Sequence, residues 1–484
     1  MTSMTMPTAK RARIHKRVRT EKAERHLLEF IKQAWPIIEP STPFIDGWHI
    51  GAICEHLEAM ILGQIRNLLV TVPPRCCKSS IVSVFWPAWV WINKPGHRWI
   101  YASYAADLAI RDSRRCRQVI ESQWYKARWG SRFNLIGDQN VKSRFENNRT
   151  GYRIASSVGG SITGEGGDTI VADDPHNLRK IHSPTDRQTV RDWWDEVMST
   201  RLNDPKRSGR VIISQRGHEE DLPGHIIDRG GYVHLNLPMG DKEECQTTIT
   251  LPISGTKITR QPGQLLWPER FDQDAVDNLR VQLGSYAASA QLDQRPSPKG
   301  GGIFKRKWWR FYKELPKDLG LPVQSWDTGY KEQERNDPSV CITGAEGASG
   351  FYLLDLWRDR VDFPDLKRAA IAQNAKHAPT IVLVEDKVSG ISLIQSLRGE
   401  TKLPVHPVGV DSDKITRACA VSPTVEAGNV WLPEDAPWVA DFMDEFDGFP
   451  NAAHDDQVDA LSQLLSYFLG FVRNKPQTPQ IVSL

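Results

Sequence analysis

The stretch Asn67-Leu-Leu-Val-Thr-Val-Pro-Pro-Arg-Cys-Cys-Lys-Ser-Ser80 places the tightest limit on what this chain can become. Leu68 to Val72 is an apolar run of the length of a short buried strand. Pro73 and Pro74 end it, because neither has an amide to give to a ladder. Ile81-Val-Ser-Val-Phe85 then opens a helix. Strand, tight loop, Lys-Ser and helix is the layout of a phosphate-binding loop. In such a loop backbone amides and the helix N-terminus hold phosphate oxygens, the lysine reaches the outer phosphates, and the hydroxyl binds Mg²⁺. Pro74, Arg75, Cys76, Cys77, Lys78, Ser79 and Ser80 are therefore the candidate nucleotide contacts, with Ser79 the candidate Mg²⁺ ligand. The turn departs from the usual pattern, since Cys76 and Cys77 stand where glycine is expected and a Cβ restricts left-handed backbone angles. An ordinary strand–turn–helix is the competing reading.

At 484 residues the chain is too long for one ordinary core, so two or three domains are expected. Its apolar and charged fractions, 39% and 25%, are those of a soluble globular protein. Charge is unevenly spread: eight Lys/Arg against two Glu lie between Lys10 and Arg25, which predicts a flexible basic arm, either solvated or touching nucleic acid. The seven cysteines are scattered with no CxxC pair, which argues against a disulfide framework or a zinc site and fits a reducing compartment. No secretory leader is visible. The longest apolar stretch, from Ile81 to Ile92, is too short to span a bilayer. Of the 17 tryptophans, most are expected to pack and some to stack on bases.

Upstream of the loop, Trp48 and His49 have two readings: they sandwich and hydrogen-bond a nucleotide base, or Trp48 anchors a loop. Downstream, 98–103 reads as a second strand. The helical stretch 104–122 interleaves Arg111, Arg114, Arg115 and Arg117, a face suited to a nucleic-acid backbone or to solvent. A glycine-rich loop, 156–167, runs into Asp168-Thr-Ile-Val-Ala-Asp-Asp-Pro175. Two carboxylates at a strand end, about a hundred residues after a Lys-Ser loop, form the second half of an ATPase site: Asp173 for Mg²⁺ and Asp174 for the attacking water. The strand 209–214 ends at Ser214 and Gln215, either a γ-phosphate sensor at the ligand edge of an open α/β sheet or a strand-end cap.

From Gln291 to residue 318 the composition turns to Pro and Gly and then to a basic-aromatic run, which predicts a linker touching DNA or the neighbouring domain. In the last third, apolar strands carry Asp327 and deliver Glu385 to a strand end. Ala453-His-Asp-Asp-Gln-Val-Asp-Ala460 then opens a helix on which Asp456 and Asp459, three apart, share one face. Carboxylates on two strands and one helix can bind a pair of divalent ions, which activates water and stabilises the leaving oxygen in phosphodiester cleavage. The alternative is surface acids, or helix-start acids favoured by the dipole, and Asp455 fits that description.

Taken together and in order, Pro73-Pro-Arg-Cys-Cys-Lys-Ser-Ser80, Ala102-Ser-Tyr-Ala-Ala-Asp-Leu-Ala109, Gly160-Ser-Ile-Thr-Gly164, Asp168-Thr-Ile-Val-Ala-Asp-Asp-Pro175, Glu219-Glu-Asp-Leu-Pro-Gly224, Asp327, Val384-Glu-Asp-Lys-Val-Ser-Gly390, Lys414-Ile-Thr-Arg-Ala418, Glu426-Ala-Gly-Asn-Val-Trp-Leu-Pro433 and His454-Asp-Asp-Gln-Val-Asp-Ala460 resemble the large terminase subunit of tailed double-stranded DNA bacteriophages. The resemblance implies an α/β architecture in which a P-loop NTPase (ASCE-type) parallel-sheet domain precedes an RNase H-like α/β nuclease domain. The expected layout is a basic arm over 1–24, the packaging ATPase over 25–290, a linker over 291–318, the nuclease over 319–473 and a tail over 474–484.

It implies ATP-driven translocation of double-stranded DNA through a portal protein into a prohead, and metal-dependent endonucleolytic cleavage of concatemeric viral DNA. Its partners would be double-stranded DNA, the portal and a small terminase subunit. The chain would be a monomer in solution and a ring oligomer on the portal, in the host cytoplasm and absent from the mature virion. Carried over residue by residue, Lys78 and Ser79 bind phosphates and Mg²⁺, Asp173 is the Mg²⁺-side carboxylate, and Asp174 stands where many relatives have a catalytic Glu. Arg75 is placed to stabilise transition-state charge in cis, and Ser214 and Gln215 to couple hydrolysis to movement. Asp327, Glu385, Asp456 and Asp459 are the implied nuclease ligands, with Asp455 the alternative to Asp456. An all-carboxylate site suits Mg²⁺ or Mn²⁺. Two other classes stay open: a helicase-like ATPase carrying an RNase H-like nuclease, and a non-enzymatic scaffold that binds DNA or portal. No strand-separating motifs are visible before Gln291, and the catalytic residue types are intact.

Overall fold

The computed structural model describes residues 8–137, 142–162, 164–240, 246–296, 302–329, 338–386, 388–409, 412–450 and 454–471. Residues 1–7 of the expected arm, 297–301 of the expected linker and the expected tail lie outside them. Two compact units form, residues 1–280 with 287–296, and residues 281–286 with 297–484.

Seven strands make the first unit's sheet: β1 (Asn67–Thr71), β2 (Trp99–Ser103), β3 (Arg144–Glu146), β4 (Tyr152–Ser157), β5 (Thr169–Asp173), β6 (Gly209–Ser214) and β7 (Val233–Asn236). Their order is β3-β4-β2-β5-β6-β1-β7, parallel except for the β3–β4 pair. Strands covered on both faces need continuous apolar runs. Leu68-Leu-Val70, Ile170-Val-Ala172 and Val211-Ile-Ile213 supply them and are fully buried. β6 stands between β1 and β5, the ASCE-type order, so the carboxyl ends of three neighbouring strands share one edge. The register pairs Thr71 with Ser214 and Asp173 with Ile213. Sheet residues Leu69, Ile100, Ile170 and Ile212 pack against Val190, Trp193, Trp194 and Met198. A hairpin, β8 (Thr247–Thr250) and β9 (Lys257–Arg260), stands apart from this sheet.

The basic segment expected to be flexible is a helix, Thr8–Arg25. It contains good helix formers and no Gly or Pro. Its last turn is docked as well: Ala23 is buried, Trp89 Nε1 donates to its carbonyl (3.0 Å), and Arg132 pairs with Glu24 at 2.7 Å. The packing role expected of most tryptophans holds, with Trp86, Trp91, Trp99, Trp129, Trp267 and Trp326 among the largest fully buried side chains.

The second unit has its own seven-stranded sheet: β10 (Arg310–Tyr312), β11 (Val323–Asp327), β12 (Ser339–Gly347), β13 (Gly350–Asp359), β14 (Ile381–Glu385), β15 (Val405–Val408) and β16 (Val430–Pro433), in the order β10-β16-β13-β12-β11-β14-β15. β11, β12 and β13 form an antiparallel meander, and β14 joins β11 in parallel. One core lies between the sheet and helices that contribute Val421, Phe442, Phe446, Leu461 and Leu464. The other side of the sheet buries Trp326, Val382 and Val384 against Leu366, Leu393 and Leu397.

The basic-aromatic run 303–312, expected to touch DNA or the neighbouring domain, packs into the second unit. Ile303, Phe304, Trp308 and Trp309 belong to the first of these cores, with Trp309 edge-on to Phe442 and Phe446. Interleaved charges mask such a run in sequence: Lys305, Arg306 and Lys307 stay outside while these aromatics go in.

Candidate active sites

Between β1 and the helical turns that begin at Lys78, the chain takes the wrapped course a phosphate loop requires. It does so without glycine: Arg75 and Cys77 adopt φ of +65° and +61°. Burial keeps both thiols protonated, pushing Cys76 up to about 12 and Cys77 up to about 11. Ser79 and Ser83, one turn apart, both face the end of β5. Ser79 Oγ donates to Asp173 Oδ1 at 2.9 Å and Ser83 Oγ to Asp173 Oδ2 at 2.6 Å. Lys78 Nζ lies 2.9 Å from Asp174 Oδ2, and the Gln215 amide donates to Asp174 Oδ1 at 3.2 Å. Asp174 itself has φ +45°.

These groups line a cleft of about 510 Å³ with Pro74, Arg75, Cys77, Ser80 and Gln215. Burial first, then the neighbouring Asp174 and Asp112, push the Asp173 carboxyl up to about 7. A buried carboxylate with two hydroxyls on it, beside a lysine and a second carboxylate, is a donor set that suits Mg²⁺ with a polyphosphate. Ser214 is buried and its Oγ donates to the Gln215 carbonyl (2.6 Å), so Gln215, not Ser214, lines the cleft.

Trp48 and His49 do not line this cleft. His49 is fully buried against Trp267, with ring centroids 4.9 Å apart, and burial lowers it to about 4; Trp48 lies under Arg260. An aromatic–His pair before a helix reads alike whether it turns to a ligand or to the core. The cleft adds residues that sequence reasoning did not place there: Ser83, Asp112, Arg111, Arg115 and Arg270. The four-residue spacing of Ser79 and Ser83 was the available signal for Ser83.

In the second unit, alternation along the strands decides the site. On β11, Val323, Ser325 and Asp327 share a face, and Ser325 Oγ donates to the Ala460 carbonyl at 2.8 Å, which fixes that face under the helix Asp456–Phe468. On β14, Leu383 and Glu385 share the corresponding face. Because β11 and β14 are parallel with Trp326 opposite Val384, Asp327 and Glu385 emerge side by side. Asp459 joins them from the helix. Burial first, then Asp459 and Glu385, push Asp327 well above the usual carboxylate range.

Two cations from the helix Lys414–Glu426 sit on this group. Arg417 Nη1 is 3.1 Å from Glu385 Oε1, its Nη2 donates to Asp459 Oδ1, and Lys414 Nζ lies 3.0 Å from Asp459 Oδ2 and 2.6 Å from Asp455 Oδ1. Asp456 stands near enough to raise Asp327 further, and its Oδ2 lies 3.7 Å from Arg358 Nη2, which also pairs with Glu445 at 3.2 Å. Among the described residues no three acids, histidines or cysteines stand close enough together to hold an ion as they are. Asp327, Glu385 and Asp459 lie together, the last two joined by Arg417, and Asp456 stands beside them, paired with Arg358. Carboxylates from adjoining elements, Glu385 and Asp459 buried and Asp327 half-buried, are a donor set that fits Mg²⁺ or Mn²⁺.

Residues 324–468 match the family model of the terminase RNaseH-like domain. The large terminase of a thermophilic bacteriophage, in its second crystal form, aligns with a TM-score of 0.50 at 11% identity, covering 86% of this chain and 98% of that one. The chain has the fold of a large terminase subunit. The resemblance read from the motifs and both expected fold classes are borne out. Two further similar structures are the HK97 bacteriophage large terminase (TM-score 0.37, 11% identity, 83% of this chain and 90% of that one) and the large terminase nuclease of thermophilic phage G20c with bound zinc (TM-score 0.26, 19% identity, 32% and 84%). No curated protein matches the chain. Among the described residues no helix is long and apolar enough to cross a membrane.

Proposed function

We propose that the chain packages and cuts phage DNA: ATP hydrolysis in the first unit drives double-stranded DNA through a portal into a prohead, and the second unit cleaves concatemeric DNA. The observation that carries this reading is the presence of two chemically distinct acidic sites, one in each unit, the first built around Lys78 and the second around three carboxylates. In the first, Lys78 and the loop amides would bind the phosphates, Ser79 and Asp173 would hold Mg²⁺, and Asp174 would orient the attacking water. Arg75, exposed at the cleft, is available to the transferring phosphoryl group, and Gln215 links the cleft to the end of β6.

In the second, Asp327, Glu385, Asp456 and Asp459 are the residues that would hold Mg²⁺ or Mn²⁺, with Asp456 also paired to Arg358. The bound ions would supply an activated water and stabilisation of the leaving oxygen. A small subunit and a ring on the portal vertex, in the host cytoplasm, complete the proposal. DNA-stimulated ATP hydrolysis by the purified chain tests the motor half. Wild type is expected to release phosphate and Lys78→Ala to fall to background; phosphate release unchanged in Lys78→Ala would overturn the assignment.

A further inference from the structure

We propose that Lys414 and Arg417 are guard cations of the carboxylate site, which compete with a divalent ion for Glu385 and Asp459 and are freed by it toward the phosphodiester. The proposal rests on the nuclease reading above. Both oxygens of Asp459 are engaged, one by each cation, and the Arg417 guanidinium bridges Asp459 to Glu385. A planar fork between two carboxylates occupies the space an ion shared by them would need. Two further positive charges beside a divalent ion would also repel it with little water between them.

The two cations act as a pair because they lie three apart on one helical face. That helix start is fixed by Asp413, whose Oδ1 accepts the Thr416 amide at 3.0 Å. Lys414 has a way out: its side chain is 42% exposed and already contacts Asp455 at the rim. Arg417, at 17%, is the inner member. Withdrawal of the fork lets the acids converge, and the freed guanidinium is then beside the scissile phosphate, an anion it binds well.

The test is calorimetric titration of Mn²⁺ into the full chain, with thermal unfolding in EDTA and in Mn²⁺. Wild type, Lys414→Met, Arg417→Met and Asp327→Asn are compared. Each guard variant is expected to bind Mn²⁺ about tenfold tighter than wild type, as loss of one close like-charge contact implies. Each should also unfold earlier in EDTA and gain more from Mn²⁺, because Asp459 has lost a counter-charge. Affinity equal to or weaker than wild type overturns the proposal. If Arg417→Met does not fold, the half-exposed Lys414→Met decides. Should Mn²⁺ binding be absent, or be the same in Asp327→Asn as in wild type, the nuclease reading fails and the guard proposal with it. Binding lost in Asp327→Asn but no tighter in the guard variants overturns the guards alone.

Discussion

Three non-glycine residues with left-handed φ, Arg75, Cys77 and Asp174, meet at one cleft. Each costs about 1–2 kcal/mol relative to an ordinary backbone angle, and such strain persists only where the surroundings fix it. At Cys77 the fixing is visible, because its carbonyl accepts the Ile81 amide at 3.0 Å and starts the helix. Cys77→Gly is therefore expected to keep the fold and change stability by no more than about 1 kcal/mol. Cys77→Val, β-branched at the same angle, should destabilise by about 2 kcal/mol or more. Urea unfolding of the two variants checks the order, and equal midpoints would contradict it. Lys78, Ser79 and Asp173 were legible because strand, loop and carboxylate follow one another in chain order. Ser83 and Arg417 were not singled out, since only folded distances show what a serine or an arginine touches.

At the level of elements, sequence patterning succeeded where one rule acted and failed where two competed. The strands that carry the two sites read correctly from apolar runs. The run 303–312 left two readings open, DNA or the neighbouring domain, because its charges pointed to a surface while its aromatics fill a core. Phe304→Ala is accordingly expected to lose about 3–5 kcal/mol of stability in denaturant unfolding; a change within about 0.5 kcal/mol would mark an exposed hinge instead.

The helix Leu222–Arg229 gives a pH prediction. His176 Nε2 accepts the Leu222 amide at 2.7 Å and His218 Nδ1 accepts the Glu220 amide at 3.0 Å; burial lowers both imidazoles from 6.5 to about 4. As pH falls, the unfolded chain takes up these protons first, so the stability they confer is complete above 6.5 and is lost as pH falls toward 4. His176→Gln should flatten the decline in the urea midpoint between about pH 7.5 and about pH 5, and an unchanged slope would contradict this role.

For the whole molecule, the central claim is that one chain carries two independent hydrolytic centres. The fold class was legible throughout, because motif order along the chain specifies both sheets. The acids of the candidate metal set were legible from strand ends and three-residue spacing, while the cations on them, Arg417, Lys414 and Arg358, show only in the fold. The most direct measurement is plasmid cleavage and ATP hydrolysis, side by side, by wild type, Asp327→Ala and Lys78→Ala in Mg²⁺ or Mn²⁺. Wild type is expected to do both. Asp327→Ala should hydrolyse ATP but not cut, and Lys78→Ala should cut but not hydrolyse ATP. Equal cleavage by all three proteins would contradict the account, because the carboxylates on β11 and β14 would then not be the nuclease.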